Sequence, residues 1–173
     1  MPTNLSDVPR LTVTTASERG FTATFDPSPY VVDRAIGCFC VEDSQFVWGR
    51  FSFVNLNERT CLFQLDNPDE LRLVEVGHSY PYFDGYWGER AAIVLDRRRD
   101  WKRERFVPRD ALNQFGQTIT GGWDHEHCAI CWAKIGNGGE PEAFFDSAHD
   151  TWLCETCYTA YVKTASLSFI GEA

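Results

Sequence analysis

QFVWGRFSFVNL, Gln45–Leu56, is a run of strand-forming residues whose apolar parity changes once, between Phe53 and Val54. Successive side chains of a strand point to opposite faces, so a parity change within one strand means an extra residue or a strong bend. Small closed barrels need such corners and flat sandwiches do not. The expected fold is therefore mainly β, a small β-barrel or strongly bent β-sheet domain.

The flanking sequence is written in the same way. Leu11 and Val13 alternate with threonines, as do Phe21, Ala23 and Phe25; Ile36, Cys38 and Cys40 share a parity, as do Cys61, Phe63 and Leu65, and then Ala91, Ile93 and Leu95. Turn residues divide these runs at DPSP 26–29, EDS 42–44, DNPDE 66–70, FDGYWGE 83–89 and V-P-R 107–109. This predicts six to eight strands and almost no helix before about residue 107. In FDGYWGER the turn residues would lift Tyr86 and Trp87 to a loop tip, where large aromatics serve as binding anchors or fold back to plug a barrel end.

After Val107 the composition changes. DALNQFGQTITGG, residues 110–122, mixes a helical turn with a Gly-rich connection, which places a boundary near residue 118: a β-rich domain over 1–118 and a smaller module over 119–173. Within that module lie Cys128-x2-Cys131 and Cys154-x2-Cys157, separated by 22 residues. Two such knuckles form the pattern of a structural zinc site, because a tight turn after the first cysteine lets both thiolates of a pair reach one ion. So short a module buries little core of its own, and zinc would supply folding free energy on the order of 10 kcal/mol. The competing readings are four ordinary reduced cysteines or one redox-active C-x-x-C pair, and neither pair follows the apolar strand that precedes a redox motif. Tyr158, Tyr161, Val162 and Ala165 are at helical spacings and predict a short helix starting on the second pair.

His125 and His127 crowd the first knuckle. With four cysteines present, thiolates are the preferred zinc ligands, and the two histidines are expected to donate to the ligand sulfurs or pair with Asp124 and Glu126. An alternative metal site would use those four residues together. Cys38, Cys40 and Cys61 are expected in the core.

The stretch WDHEHCAICWAKI followed by WLCETCY resembles the C-terminal module of a set of small, largely uncharacterised bacterial proteins carrying D-H-E-H-C-x2-C and W-x-C-x2-C. The resemblance spans about residues 122–160 and implies a zinc ribbon with Cys128, Cys131, Cys154 and Cys157 as ligands to one Zn2+.

The chain has 173 residues and a net charge of −9, interrupted by the basic segment DRRRDWKRERFVPRD. An acidic body disfavours general duplex nucleic-acid binding. The N-terminal stretch has no basic region followed by an apolar one, and no window approaches the roughly 18 apolar residues of a membrane span, so a cytoplasmic protein is expected. No phosphate-binding Gly loop, G-x-S-x-G or H-E-x-x-H is present. The leading expectation is a non-enzymatic bacterial protein that acts by binding another, basic protein, as an immunity-type or antagonist protein does. A nucleic-acid- or ribosome-associated adaptor would instead use Arg97, Arg98, Arg99 and the rest of the segment to Arg109 on phosphates, with Trp101 stacking on bases. A metal-dependent hydrolase would centre on His125 and His127.

Overall fold

Phe53 adopts a left-handed backbone, φ +51°, within the longest strand of the chain, and the register of that strand against its neighbour shifts between Ser52 and Asn55. The bend thus lies where the parity changes. In the computed structural model, which describes residues 4–28 and 31–170, this strand belongs to a closed six-stranded barrel. The start of the N-terminal stretch, residues 1–3, and Pro29 of the DPSP turn lie outside the described residues. The barrel strands are β1 (Arg10–Ser17), β2 (Gly20–Phe25), β3 (Ile36–Cys40), β4 (Phe46–Asn55), β5 (Thr60–Leu65) and β6 (Ser79–Asp84). Their order is β1-β2-β5-β4-β3-β6, with β6 returning to β1 and every pairing antiparallel. The successive hairpins β3-β4-β5 with β2 beside β5 make a Greek key.

Aromatic rings fill the barrel. Phe21, Phe39, Phe51 and Phe63 are fully buried, and Phe63 meets the other three at centroid distances of 5.4, 5.4 and 5.1 Å. Each buried Phe contributes about 1.5–3 kcal/mol of transfer free energy, with edge-to-face contacts adding to it.

One expectation fails in the barrel unit. FDGYWGERAAIVL is neither a turn nor a strand: Gly85–Leu95 is a helix, α1, capped by the Asp84 carboxylate, which accepts from Trp87 N at 2.8 Å. Its buried residues are Trp87, Gly88, Arg90, Ala91, Val94 and Leu95, a helical spacing that the period-two positions Ala91, Ile93 and Leu95 concealed. The helix covers the outer face of β3, so that strand is buried on both sides: Phe39 points into the barrel cluster and Cys38 lies under Gly88. A Cβ at position 88 would collide with Cys38 Sγ, and glycine is what allows the approach.

The chain divides into two compact units, Met1–Asp96 with Ser166–Ala173, and Arg97–Ala165. The division falls at Asp96/Arg97 rather than near residue 118. The physical reason is pairing: β7 (Lys102–Arg105) is hydrogen-bonded to β12 (Glu142–Asp146), which brings residues 97–118 into the second unit. At the other end Leu167, Phe169 and Ile170 are buried in the first unit, with Phe169 against Trp87 at 6.1 Å.

The second unit contains β8 (Arg109–Leu112), β9 (Thr118–Trp123), β10 (His125–His127), β11 (Lys134–Gly136) and β13 (Thr151–Leu153) besides β7 and β12. These form a three-stranded sheet, β13-β12-β7, and two hairpins, β8-β9 and β10-β11. Residues 110–122, expected to hold a helical turn, are thus largely a hairpin. Asn113 makes its turn, its side-chain oxygen accepting from Phe115 N at 2.9 Å and Gln117 N at 3.0 Å. A short helix, α2 (Glu155–Cys157), runs on into a wide helical turn at Tyr158–Val162, where the cysteine-started helix was expected. Ile135, Ala143 and Leu153 form the small core with Phe106, Ile130 and Trp152. No helix among the described residues is long and apolar enough to cross a membrane.

Candidate metal centre

The second unit's hairpin β10-β11 turns through the first cysteine pair. Cys128 N donates to Ala133 O at 2.8 Å and Trp132 N to Cys128 O at 2.9 Å, with Trp132 in the left-handed region, φ +64°. The second pair sits where β13 meets α2. Cys154 caps the helix, its Sγ accepting from Cys157 N at 3.4 Å. A backbone bond from Ala129 N to Trp152 O, 2.9 Å, ties the first knuckle to β13 just before the second. Two local turns and one tie therefore gather four thiols from positions 29 residues apart.

The Sγ atoms of Cys128, Cys131, Cys154 and Cys157 all lie within 4.8 Å of one another, and this group could hold one metal ion. Cys131 Sγ is 3.7 Å from Cys154 Sγ. A sulfur tetrahedron with metal–sulfur bonds of about 2.3 Å has edges of about 3.8 Å, so the spacing fits a closed four-sulfur site. Cys128, Cys154 and Cys157 are buried, and Cys131 is exposed. Hydrogen bonds from Cys154 and Cys157 lower the Cys128 thiol below its ordinary range, and the same bonds raise Cys154 and Cys157. These bonds favour the thiolate at Cys128 and the thiols at Cys154 and Cys157; a divalent cation at the centre would supply the charge that ionises those two.

The histidines keep other company. His125 Nδ1 lies 2.5 Å from Asp124 Oδ1, as one expectation had it, whereas Glu126 is taken by Arg109 NH2 and Trp123 Nε1, each at 2.8 Å. His127 packs against His125 and Trp132, with centroids 5.1 and 5.7 Å away. Among the described residues the cysteine tetrad is the single group of three or more Cys, His, Asp or Glu donors placed for a metal, so Asp124, His125, Glu126 and His127 do not converge as a foursome.

The basic segment is largely neutralised within its own unit. Arg99 NH1 donates to Asp146 Oδ2 at 3.1 Å, with Asp146 1% exposed. Arg103 pairs with Glu142 and Glu155, Arg109 with Glu126 and Asp150, and Lys102 with Asp100. Trp101 packs 6.4 Å from Tyr158, with the Arg99 guanidinium 5.7 Å from its ring. β7 itself is a fully exposed edge strand. Arg98 is also engaged. In the barrel unit Trp87 is buried rather than at a tip, and Tyr86, half-exposed, carries the Arg90 guanidinium 3.6 Å from its ring. The buried carboxylate of Asp146, which also accepts from His149 Nδ1 at 2.7 Å, was missed by sequence reasoning: its arginine lies 47 positions away and nothing in the local sequence marks the pair.

No protein-family model matches this chain, and no curated protein or solved structure matches it either.

Proposed function

We propose that this chain is a non-catalytic binding protein, its second unit held together by one structural zinc on Cys128, Cys131, Cys154 and Cys157. Its target is a basic protein, which it covers as a bacterial immunity-type or antagonist protein in the cytoplasm would. The observation that carries the binding reading is the hairpin β8-β9. Among the described residues no third strand joins it, residues 111–123 contain no charged side chain, and Leu112, Phe115, Ile119 and Trp123 are all exposed. By the register, Ile119 shares a face with Ala111 and Leu112 lies on the other, so both faces of the ribbon present apolar side chains to the open; such exposure marks an interaction surface, and an isolated two-stranded ribbon gains stability when a partner covers it.

The sign of the partner follows from charge. The barrel unit carries 7 basic and 15 acidic side chains, while the second unit carries 9 and 10. An acidic surface of this kind steers a basic partner and repels nucleic acid. The four ion-paired cations Arg99, Lys102, Arg103 and Arg109 weigh against the adaptor reading, since a charge already paired offers less to phosphate.

The test is affinity purification of the full chain from its native host at two salt concentrations, alongside Phe115→Asp. A single basic protein should be retained in stoichiometric amount by the wild type, weakened by salt and lost with the substitution. Recovery of nucleic acid alone, or of proteins indifferent to both changes, sinks the reading.

A further inference from the structure

His125 and His127 leave β10 on the same face, because residues two apart on a strand share a side. Their ring centroids are 5.1 Å apart with the planes at 81°, and together with Gly122, Trp123 and Asp124 they line a cavity of about 250 Å³. Asp124 is committed on both oxygens: Oδ1 faces His125 Nδ1 at 2.5 Å and Oδ2 accepts from Asn137 Nδ2 at 2.7 Å. A carboxylate on Nδ1 fixes the proton there and leaves Nε2 of the neutral ring as a lone-pair donor. That carboxylate–imidazole arrangement is the one that orients metal-ligating histidines.

We propose that His125 and His127 form a second cation site, separate from the cysteine tetrad, for a divalent transition-metal ion bound through imidazole nitrogen. Two imidazoles on one tetrahedral ion, with metal–nitrogen bonds of about 2.0–2.1 Å, place their ring centroids about 5 Å apart. The observed separation of 5.1 Å is of that size. The donor chemistry sets the class of ion. Imidazole suits Zn2+, Ni2+ and Cu2+, whereas Mg2+ and Ca2+ require oxygen ligands, and the nearest carboxylates, Asp124 and Glu126, are held by Asn137, His125, Arg109 and Trp123. With two protein donors, the other coordination positions face the cavity and take water or a small ligand. This site is open where the tetrad is closed, and its ion exchanges where the tetrad's is retained. It does not depend on the identity of the protein partner.

The experiment is a calorimetric titration of Zn2+ into the full chain purified with its tetrad metal, for wild type, His127→Ala and Asp124→Asn. The wild type should take up one further Zn2+ per chain with micromolar affinity. His127→Ala should abolish this uptake, and Asp124→Asn should weaken it by about 10–100-fold, the effect of losing an outer partner of a ligating histidine. The metal content before titration and the near-UV circular dichroism should be the same in all three, which separates loss of the site from loss of the fold. No uptake by the wild type up to millimolar Zn2+, or equal uptake by His127→Ala, overturns the proposal. A chain purified without tetrad metal would count against the structural zinc alone; the second site would still be read from one Zn2+ fewer in His127→Ala than in wild type.

Discussion

Arg99 and Asp146 form a buried ion pair, NH1 to Oδ2 at 3.1 Å, with side chains 12% and 1% exposed. Thr151 Oγ1 accepts from the same guanidinium nitrogen at 3.3 Å, so the pair fixes the loop before β7 to the hairpin β12-β13. Removing one partner strands the other charge away from water, at a cost of about 3–5 kcal/mol. Asp146→Ala should therefore lower the thermal midpoint of the second unit strongly, and the double change Arg99→Met with Asp146→Leu should recover much of it. Calorimetry of the three variants decides this. A single substitution costing under about 0.5 kcal/mol would mean that the pair behaves as a solvated one.

The tetrad makes a different demand. With the small core of Ile135, Ala143 and Leu153, the second unit should depend on a metal held by the tetrad, and Cys154→Ser should release that metal and unfold the unit. The barrel unit, with its own aromatic core, should keep its β-sheet circular dichroism. Elemental analysis should find one retained zinc in wild type and none in the variant. A metal-free wild type whose β10-β13 amides remain protected from hydrogen exchange would show that packing alone suffices.

The barrel was legible because its signal is local: the parity change at Phe53, the Thr-apolar alternation of β1 and β2, and the turns between strands each state their structure within a few residues. The four cysteines were legible for the same reason, as spacing within a knuckle. The helix α1 was not, although Asp84 as its cap and the spacing Trp87, Ala91, Val94 were there to be read, because Ala91, Ile93 and Leu95 satisfy a two-residue period equally well. Arg99 was misplaced for a deeper reason. A run of arginines reads as a solvated surface, and only the tertiary meeting with Asp146 turns one of them inward.

Alkaline pH should weaken the barrel. Burial raises Cys40 to about 11 and Cys61 to about 12 from an ordinary 9.0, and pushes Cys38 higher still. Above pH 9 the unfolded chain sheds thiol protons that the folded chain retains, so stability is complete below about pH 9 and falls as pH rises toward 11–12. The slope approaches about 1.4 kcal/mol per pH unit for each group titrating in this way. Urea midpoints under reducing conditions at pH 8, 9.5 and 10.5 should decline in that order, and Cys61→Ala should decline less. A flat profile would mean that these thiols are reached by solvent.

Salt and charge reversal separate a protein partner from nucleic acid. Arg99 cannot be used for this, because reversing it would place two carboxylates together in a buried site; Arg97→Glu with Arg105→Glu changes the basic segment by four charges and leaves the pair with Asp146 intact. If the functional contact is to a basic protein, this variant should bind single-stranded RNA no worse than wild type, both weakly, and should retain the protein partner. Higher salt should slow association with that partner, because steering acts on the encounter. An adaptor would behave in the opposite way, its affinity for RNA falling steeply with salt and collapsing in the variant as phosphate contacts are lost. Submicromolar RNA binding by the wild type at physiological salt, abolished by the two substitutions, would transfer the function from the hairpin to the arginines.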